Sequence, residues 1–493
     1  MIINVVSGAD LQSALDDAEP GDEVVLVDGE TYVGNFVLGL HKGGSPVVLR
    51  SATEPPEGRL LLNDQGRCTD FNPAKLQAAP GGLPALRTEP GVHDWYILGL
   101  ELLPNPGGYG EIVSFGDGSA NQHSFEQLPY NLTLDRCYVH GDPVTGQKRG
   151  LGLNCGRAAV RCCHFSGIFT PGQDSQAICG WNGSGDWLIE DNYLEAASEN
   201  VLVGGATIHV PDLLPTTIVI RKNTLTKNPE WRGKGYVVKN LLELKTGVNV
   251  VVDQNDLSEC WPDGQDGKAL QITVRNEEGA NPWAAIRNVM VTRNRVWNVG
   301  GVVNVLGRDD RGSRYESQLL VGLLFRDNEA WNVTDGGGAR GNSWQIQGGD
   351  WVLIDHNTWV TDQRGDWAIT EYLINRPCTN FACVNNIGIQ GASYGSYLKT
   401  GSDDVATNGL IGAAALDVFA LPYVYTHNVI VGGPSTGYPP GNFMPGLISE
   451  VGFMNPDLYD FRLSPDSPFV GQATDGTDIG ARHESAPTPM MEV

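Results

Sequence analysis

Clustered cysteine, long apolar runs and basic charge are what this chain has least of. None of its nine cysteines forms a CxxC pair, and the count is odd. That spacing argues against a structural zinc site and against a disulfide framework, so most of the cysteines read as buried thiols. Cys162 and Cys163 are adjacent in an apolar stretch. No apolar run reaches the roughly 18 residues of a membrane span. Lys and Arg total 33 against 58 Asp and Glu, a net charge of −25. Binding to nucleic acid phosphates needs clustered cations, so nucleic acid is not an expected partner. The start, Met1 to Asn4, has neither a charged n-region nor a long apolar h-region. That fits either a secreted protein whose signal is absent here or a virion component, and the expected location is extracellular or virion. The motifs of serine hydrolases, P-loop NTPases and zinc proteases are also missing: no Gly-x-Ser-x-Gly, no Walker loop, no His-Glu-x-x-His.

What is present is a large apolar fraction, 41%, in a chain of 493 residues with 63 glycines. That composition supports an extensive core cut by many tight turns, not disorder. Within it one short pattern recurs: apolar residues alternating with others, two polar residues, then Asn. It runs Trp187 to Asn192, Val219 to Asn223, Val251 to Asn255 and Val291 to Asn294. It continues as Leu324 to Asn328, Leu353 to Asn357, Cys383 to Asn386 and Tyr425 to Asn428. Two earlier copies, Leu134 to Cys137 and Val160 to Cys163, carry cysteine at the Asn position. Short strands recurring without intervening helices imply a coil of strands. Asn tolerates the left-handed backbone of a tight turn, and its amide can hydrogen-bond from rung to rung.

On these residues the chain resembles the right-handed parallel β-helix proteins of the pectate-lyase-like superfamily. The repeat covers roughly residues 90–435. The resemblance implies an all-β solenoid with a short N-terminal capping helix, placed at Ala9 to Glu19 by its apolar face of Leu11, Ala14, Leu15 and Ala18. One domain is expected over residues 1–483, followed by a flexible polar tail at 484–493.

Each period holds a second strand upstream of the Asn strand: Ser175 to Cys179, Glu199 to Val203, Leu241 to Lys245, Ala269 to Arg275, Val302 to Leu306 and Ser343 to Gln347. Side chains alternate along a strand. With Leu242, Leu244, Leu270, Ile272, Val274, Val303, Val305, Trp344 and Ile346 inward, the outward set is Glu243, Lys245, Gln271, Thr273, Arg275, Asn304, Gln345 and Gln347. Arg308 follows just beyond its strand. Rungs about 4.8 Å apart would gather these polar groups on one face. Long inserted loops flank the same rungs and carry aromatics, among them Trp231 and Trp261, that suit sugar stacking or loop packing. Asp309-Asp310 and Asp403-Asp404 read as turn residues.

The polar strand also resembles the alginate lyase and chondroitinase B group of β-helix lyases. That resemblance implies Lys245 as base, Arg275 as acid or carboxylate clamp, and Glu243 as one of the acidic positions. It further implies Ca²⁺ held by Glu243, Asn200 or Glu199. Here the strand reads Glu243-Leu244-Lys245, one carboxylate where that group carries two. Arg308, Asn304, Gln271 and Gln345 would bind substrate. The expected function is a polysaccharide lyase cleaving a uronate-containing glycan by β-elimination. The alternative is a non-catalytic glycan-binding or tailspike-like virion fibre protein. The partner is a polysaccharide in either case, and the chain is a monomer or a homotrimer.

Overall fold

A computed structural model describes residues 1–482 apart from 42, 334–340, 362–370, 390–397 and 434–435. The expected tail at 484–493 lies outside the described residues. The chain divides into two compact units, Met1–Val237 with Asn276–Trp283, and Val238–Arg275 with Ala284–Val493. Each is built from three sheets of parallel strands, and the fold is a right-handed parallel β-helix.

In the second unit every turn of the coil visits the three sheets in the same order. A strand of the polar sheet (Leu242–Leu244) leads into a strand ahead of the Asn (Gly247–Asp253), then one after it (Asp256–Cys260). The next turn repeats this with Lys268–Thr273, Ile286–Thr292 and Arg295–Val299, and the one after with Gly301–Leu306, Val321–Arg326 and Glu329–Val333. In the first unit the same succession is seen at Gln176–Gly180, Gly185–Glu190 and Tyr193–Ala196. Its N-terminal helix spans Leu11–Asp16, is capped by Asp10 accepting from the Ser13 amide, and buries Leu11 and Leu15.

The Asn ladder is the spine of the coil. In the second unit the Asn255 amide nitrogens reach Asn294 Oδ1, both at 2.9 Å, and Asn294 passes the same pair of bonds to Asn328 at 3.0 and 2.9 Å. The chain of bonds continues through Asn357, Asn386 and Asn428. It goes one step further than the sequence pattern, to Asn442. The first unit has a row of its own in which thiols take part: the Cys137 amide donates to Cys163 Sγ, and the Cys163 amide to Asn192 Oδ1.

The left-handed residue, however, is not the Asn. It is the residue before it: Asp191, Lys222, Gln254, Arg293, Asp327, His356, Asn385 and His427 all have φ between 52° and 59°. The backbone makes its corner there, which frees the Asn to point inward and stack. Cys162 is such a corner residue, φ 56°, and not part of the strand, which ends at Arg161. All nine cysteines are free thiols, seven of them buried.

Candidate polar face

The inward and outward assignments of the polar sheet hold in the second unit. Leu242, Leu244, Leu270, Ile272, Val274, Val303, Val305, Trp344 and Ile346 are all buried. Register places Glu243 beside Gln271, Gln271 beside Asn304, and Asn304 beside Gln345. The amides form a ladder of their own on the outside of the sheet. Gln345 Nε2 donates to Asn304 Oδ1 at 3.0 Å, and Asn304 Nδ2 to Gln271 Oε1 at 2.7 Å. Gln271 Nε2 then donates to Gln265 Oε1 at 3.1 Å.

Gln265 belongs to the loop between Cys260 and Lys268, so this loop lies against the face. Glu243, Gln271 and Thr273 point outward yet are buried. A buried carboxylate needs donors. Glu243 takes them from Asn240 Nδ2 at 3.2 Å and Thr273 Oγ1 at 3.5 Å, and its Oε1 lies 3.8 Å from Lys245 Nζ. Lys245 is partly exposed, with 23% of its side-chain surface open to solvent.

On the next rung the Arg275 amide donates to the Lys245 carbonyl at 3.0 Å. The Arg275 guanidinium is gripped by two carboxylates, Asp309 Oδ1 at 3.3 Å and Asp310 Oδ1 at 2.7 Å. The Asp309-Asp310 pair, expected as turn residues, therefore holds the guanidinium of the candidate residue Arg275. Asp309 is fully buried and also binds Arg311. Arg308 is exposed and lines a cavity of about 580 Å³ with Asp309, Asp310, Glu316 and Arg376. Arg376 Nη1 donates to the Arg308 carbonyl at 3.1 Å. Sequence reading missed Gln265 and Arg376 because both stand in loops, outside the alternation that marks a strand.

Trp261 is 9% exposed and Trp231 7%, so neither offers a ring face to solvent. Trp231, in the first unit, packs against Phe169 at 5.4 Å and Tyr236 at 6.2 Å. This burial favours loop packing, one of the two roles expected for these rings, over sugar stacking.

The residues expected to hold Ca²⁺ do not fit one. Asn200 and Glu199 lie in the first unit and are buried. Asn200 Oδ1 faces an ammonium, Lys227 Nζ, at 3.2 Å, while its Nδ2 donates to the carbonyls of Leu194 and Thr226. Lys227 Nζ also donates to the carbonyls of Ala196 at 3.1 Å and Ser198 at 3.0 Å. Hard cations need free oxygen ligands. Here a lysine already occupies the oxygens that a cation would seek. Glu199 Oε2 accepts from Gln176 Nε2 at 2.9 Å, and Glu243 is shared among Asn240, Thr273 and Lys245. Among the described residues no group of three or more His, Cys, Asp or Glu is placed to hold a metal.

No protein-family model matches the chain, and no curated protein does. Among solved structures, 53 chains match. An alginate lyase from Paenibacillus sp. str. FPU-7 is 17% identical, with a TM-score of 0.40, over 67% of this chain and 93% of that one. The PL6 family alginate lyase AlyGC is 13% identical, with a TM-score of 0.49, over 100% of this chain and 60% of that one. A tailspike protein of E. coli bacteriophage HK620, in complex with hexasaccharide, is 14% identical, with a TM-score of 0.42, over 88% of this chain and 62% of that one. Identities this low speak to the fold alone. No helix among the described residues is long and apolar enough to cross a membrane.

Proposed function

We propose that the chain is a polysaccharide lyase acting on a uronate-containing glycan through the outer face of its polar sheet. The observation that carries this reading is the placement of Lys245 and Arg275 on consecutive rungs, joined through the backbone at 3.0 Å, with Glu243 beside the lysine. Lys245 takes the proton from the sugar carbon next to the carboxylate. The electrons of that C–H bond form a new carbon–carbon double bond. The glycosidic C–O bond breaks, and its electron pair leaves with the oxygen, which takes up a proton.

Negative charge grows on the substrate carboxylate as the proton departs. A fixed guanidinium is suited to that charge, and Arg275 is fixed by Asp309 and Asp310. Glu243 keeps Lys245 in place. No step requires a metal.

The test is product spectroscopy. Purified protein is incubated with alginate, pectate and glycosaminoglycans, with and without Ca²⁺, while the ultraviolet band of the unsaturated product is followed. Growth of that band on one polymer, unaffected by a chelator, supports the reading. Flat traces on every polymer, with retention on a glycan column, support the second reading.

The second reading is a non-catalytic glycan-binding or virion fibre protein, extracellular or virion-borne, acting as a homotrimer. It is favoured by apolar side chains left open near the C-terminal rungs, among them Leu421 and Val424, both 54% exposed.

A further inference from the structure

Cations recur at one border of the polar sheet, rung after rung. The Arg275 amide meets the Lys245 carbonyl, the Val274 amide meets the Leu306 carbonyl, and the Gly307 amide meets the Gln347 carbonyl. These bonds put Lys245, Arg275 and Arg308 at the same strand end on successive rungs. The following rung carries two glycines there, Gly348 opposite Gly307 and Gly349 opposite Arg308, and a Cβ added to Gly348 would lie 3.5 Å from the Arg376 Cβ. Arg376 comes from the rung after and folds back across that gap to the Arg308 carbonyl. The result is a file of one lysine and three arginines parallel to the coil axis.

Two members of the file, Arg308 and Arg376, are unusual in this acidic chain; Lys245 and Arg275 each have a carboxylate beside them. Ion pairs to Asp or Glu engage Arg50, Arg149, Arg293, Arg295, Arg326 and others. Among the described residues, no carboxylate lies within ion-pair reach of Arg308 or Arg376. The acids of the same cavity are partly spent: Asp309 on Arg275 and Arg311, and Asp310 on Arg275. Glu316 also lines it. A cavity of about 580 Å³ falls in the size range of ligand sites.

We infer that the file is a subsite track for a polyanionic glycan lying along the coil axis, with a carboxylate on each of several consecutive sugars. The rung repeat of about 4.8 Å is close to the length one hexose adds to an extended chain. Each rung step therefore meets one sugar step. A glycan of consecutive uronates presents a carboxylate at every step, whereas one that alternates uronate with a neutral sugar leaves every second cation unmatched. The inference rests on the lyase reading for the identity of the face, and it adds direction, extent and charge pattern.

The test measures binding, so that it can fail separately from catalysis. Oligosaccharides of consecutive uronates, from trimer to hexamer, are titrated calorimetrically into full-length protein carrying Lys245→Gln. Alternating uronate–hexosamine oligomers of the same lengths are the comparison. Affinity is expected to rise stepwise with length for the consecutive series and to be weaker at matched length for the alternating one. Adding Arg376→Gln is expected to lower hexamer affinity roughly tenfold and trimer affinity by less than about twofold, as loss of one charge-assisted contact predicts. Arg376→Lys, which keeps the charge without the fork, should recover part of the loss at low salt.

Equal affinity for the two series at matched length, or an equal loss at every length with Arg376→Gln, overturns the track. Binding that follows the predicted pattern in a protein whose wild type makes no unsaturated product overturns the lyase reading and leaves the track standing. Product formed with no dependence on length or charge pattern does the reverse.

Discussion

The Lys245 Nζ stands 3.8 Å from the carboxylate of Glu243, two residues back on the same outward face. The carboxylate is buried and the lysine is partly open, so the pair has one anchored member and one that can reach a ligand. A partly exposed ion pair contributes about 1 kcal/mol or less to stability. A catalytic base contributes about 10²-fold or more to rate. Lys245→Gln is therefore expected to melt close to wild type while losing at least about 10²-fold in turnover of the identified polymer. Thermal denaturation and product absorbance on the same preparation check both halves.

The Lys227 cage gives a second expectation. Its ammonium serves two backbone carbonyls and Asn200 Oδ1 in a buried place. Lys227→Met keeps the volume but leaves those oxygens without a donor, at a cost of about 3–5 kcal/mol. The variant should unfold at markedly lower denaturant than wild type. Ca²⁺ or a chelator should leave the wild-type midpoint where it is. A midpoint that rises with Ca²⁺ in wild type would show that the lysine does not fill the cation's place.

A third expectation concerns the Asn ladder. Asn328 is buried and bonded on both sides, to Asn294 and to Asn357. Asn328→Ala orphans backbone and side-chain groups on two rungs and should cost about 2–4 kcal/mol. Asn442, at the ladder's partly exposed end, serves only Asn428 within the row and should cost less. Chemical denaturation of the two variants measures the difference.

This ladder is also why the fold is readable in the chain. From Cys137 onward the rungs place a side-chain amide or thiol at one inward corner, and that demand writes Asn or Cys into the sequence turn after turn. The alternation of Leu242 with Glu243 and Leu270 with Gln271 similarly reveals which side chains leave the polar face. What alternation cannot show is how far an outward side chain is covered. Glu243 and Gln271 are buried because a loop carrying Gln265 lies over them. Lys227, Asp309 and Arg376 act from loops, where no period exists to place them. The left-handed corner was misassigned for the same reason: the residues before Asn share a backbone angle but no side-chain type.

A fourth expectation concerns pH. In the first unit His164 stacks on Tyr193 at 4.4 Å, and burial pulls its pKa down to about 4. The unfolded chain binds a proton there near pH 6.5, while the folded protein stays neutral until about 4. Between those values the unfolded state holds more protons, so stability falls as the pH is lowered through the window. Given partial exposure, the loss is at most about 2 kcal/mol. Nearby Glu195 opposes it: burial raises its pKa, so protonation on acidification favours the folded state. His164→Phe removes the first contribution and keeps the second. Its midpoint should fall less than that of wild type between pH 7 and about 4.5, and an equal fall would locate the acid sensitivity elsewhere.

The most direct measurement is a crystal structure of the Lys245→Gln protein with a bound oligomer of consecutive uronates. The account predicts a sugar ring over residue 245, its carboxylate against Arg275, and the chain running on past Arg308 toward Arg376. An oligosaccharide bound on another sheet, or on this one with its carboxylates turned away from Arg275, would contradict it.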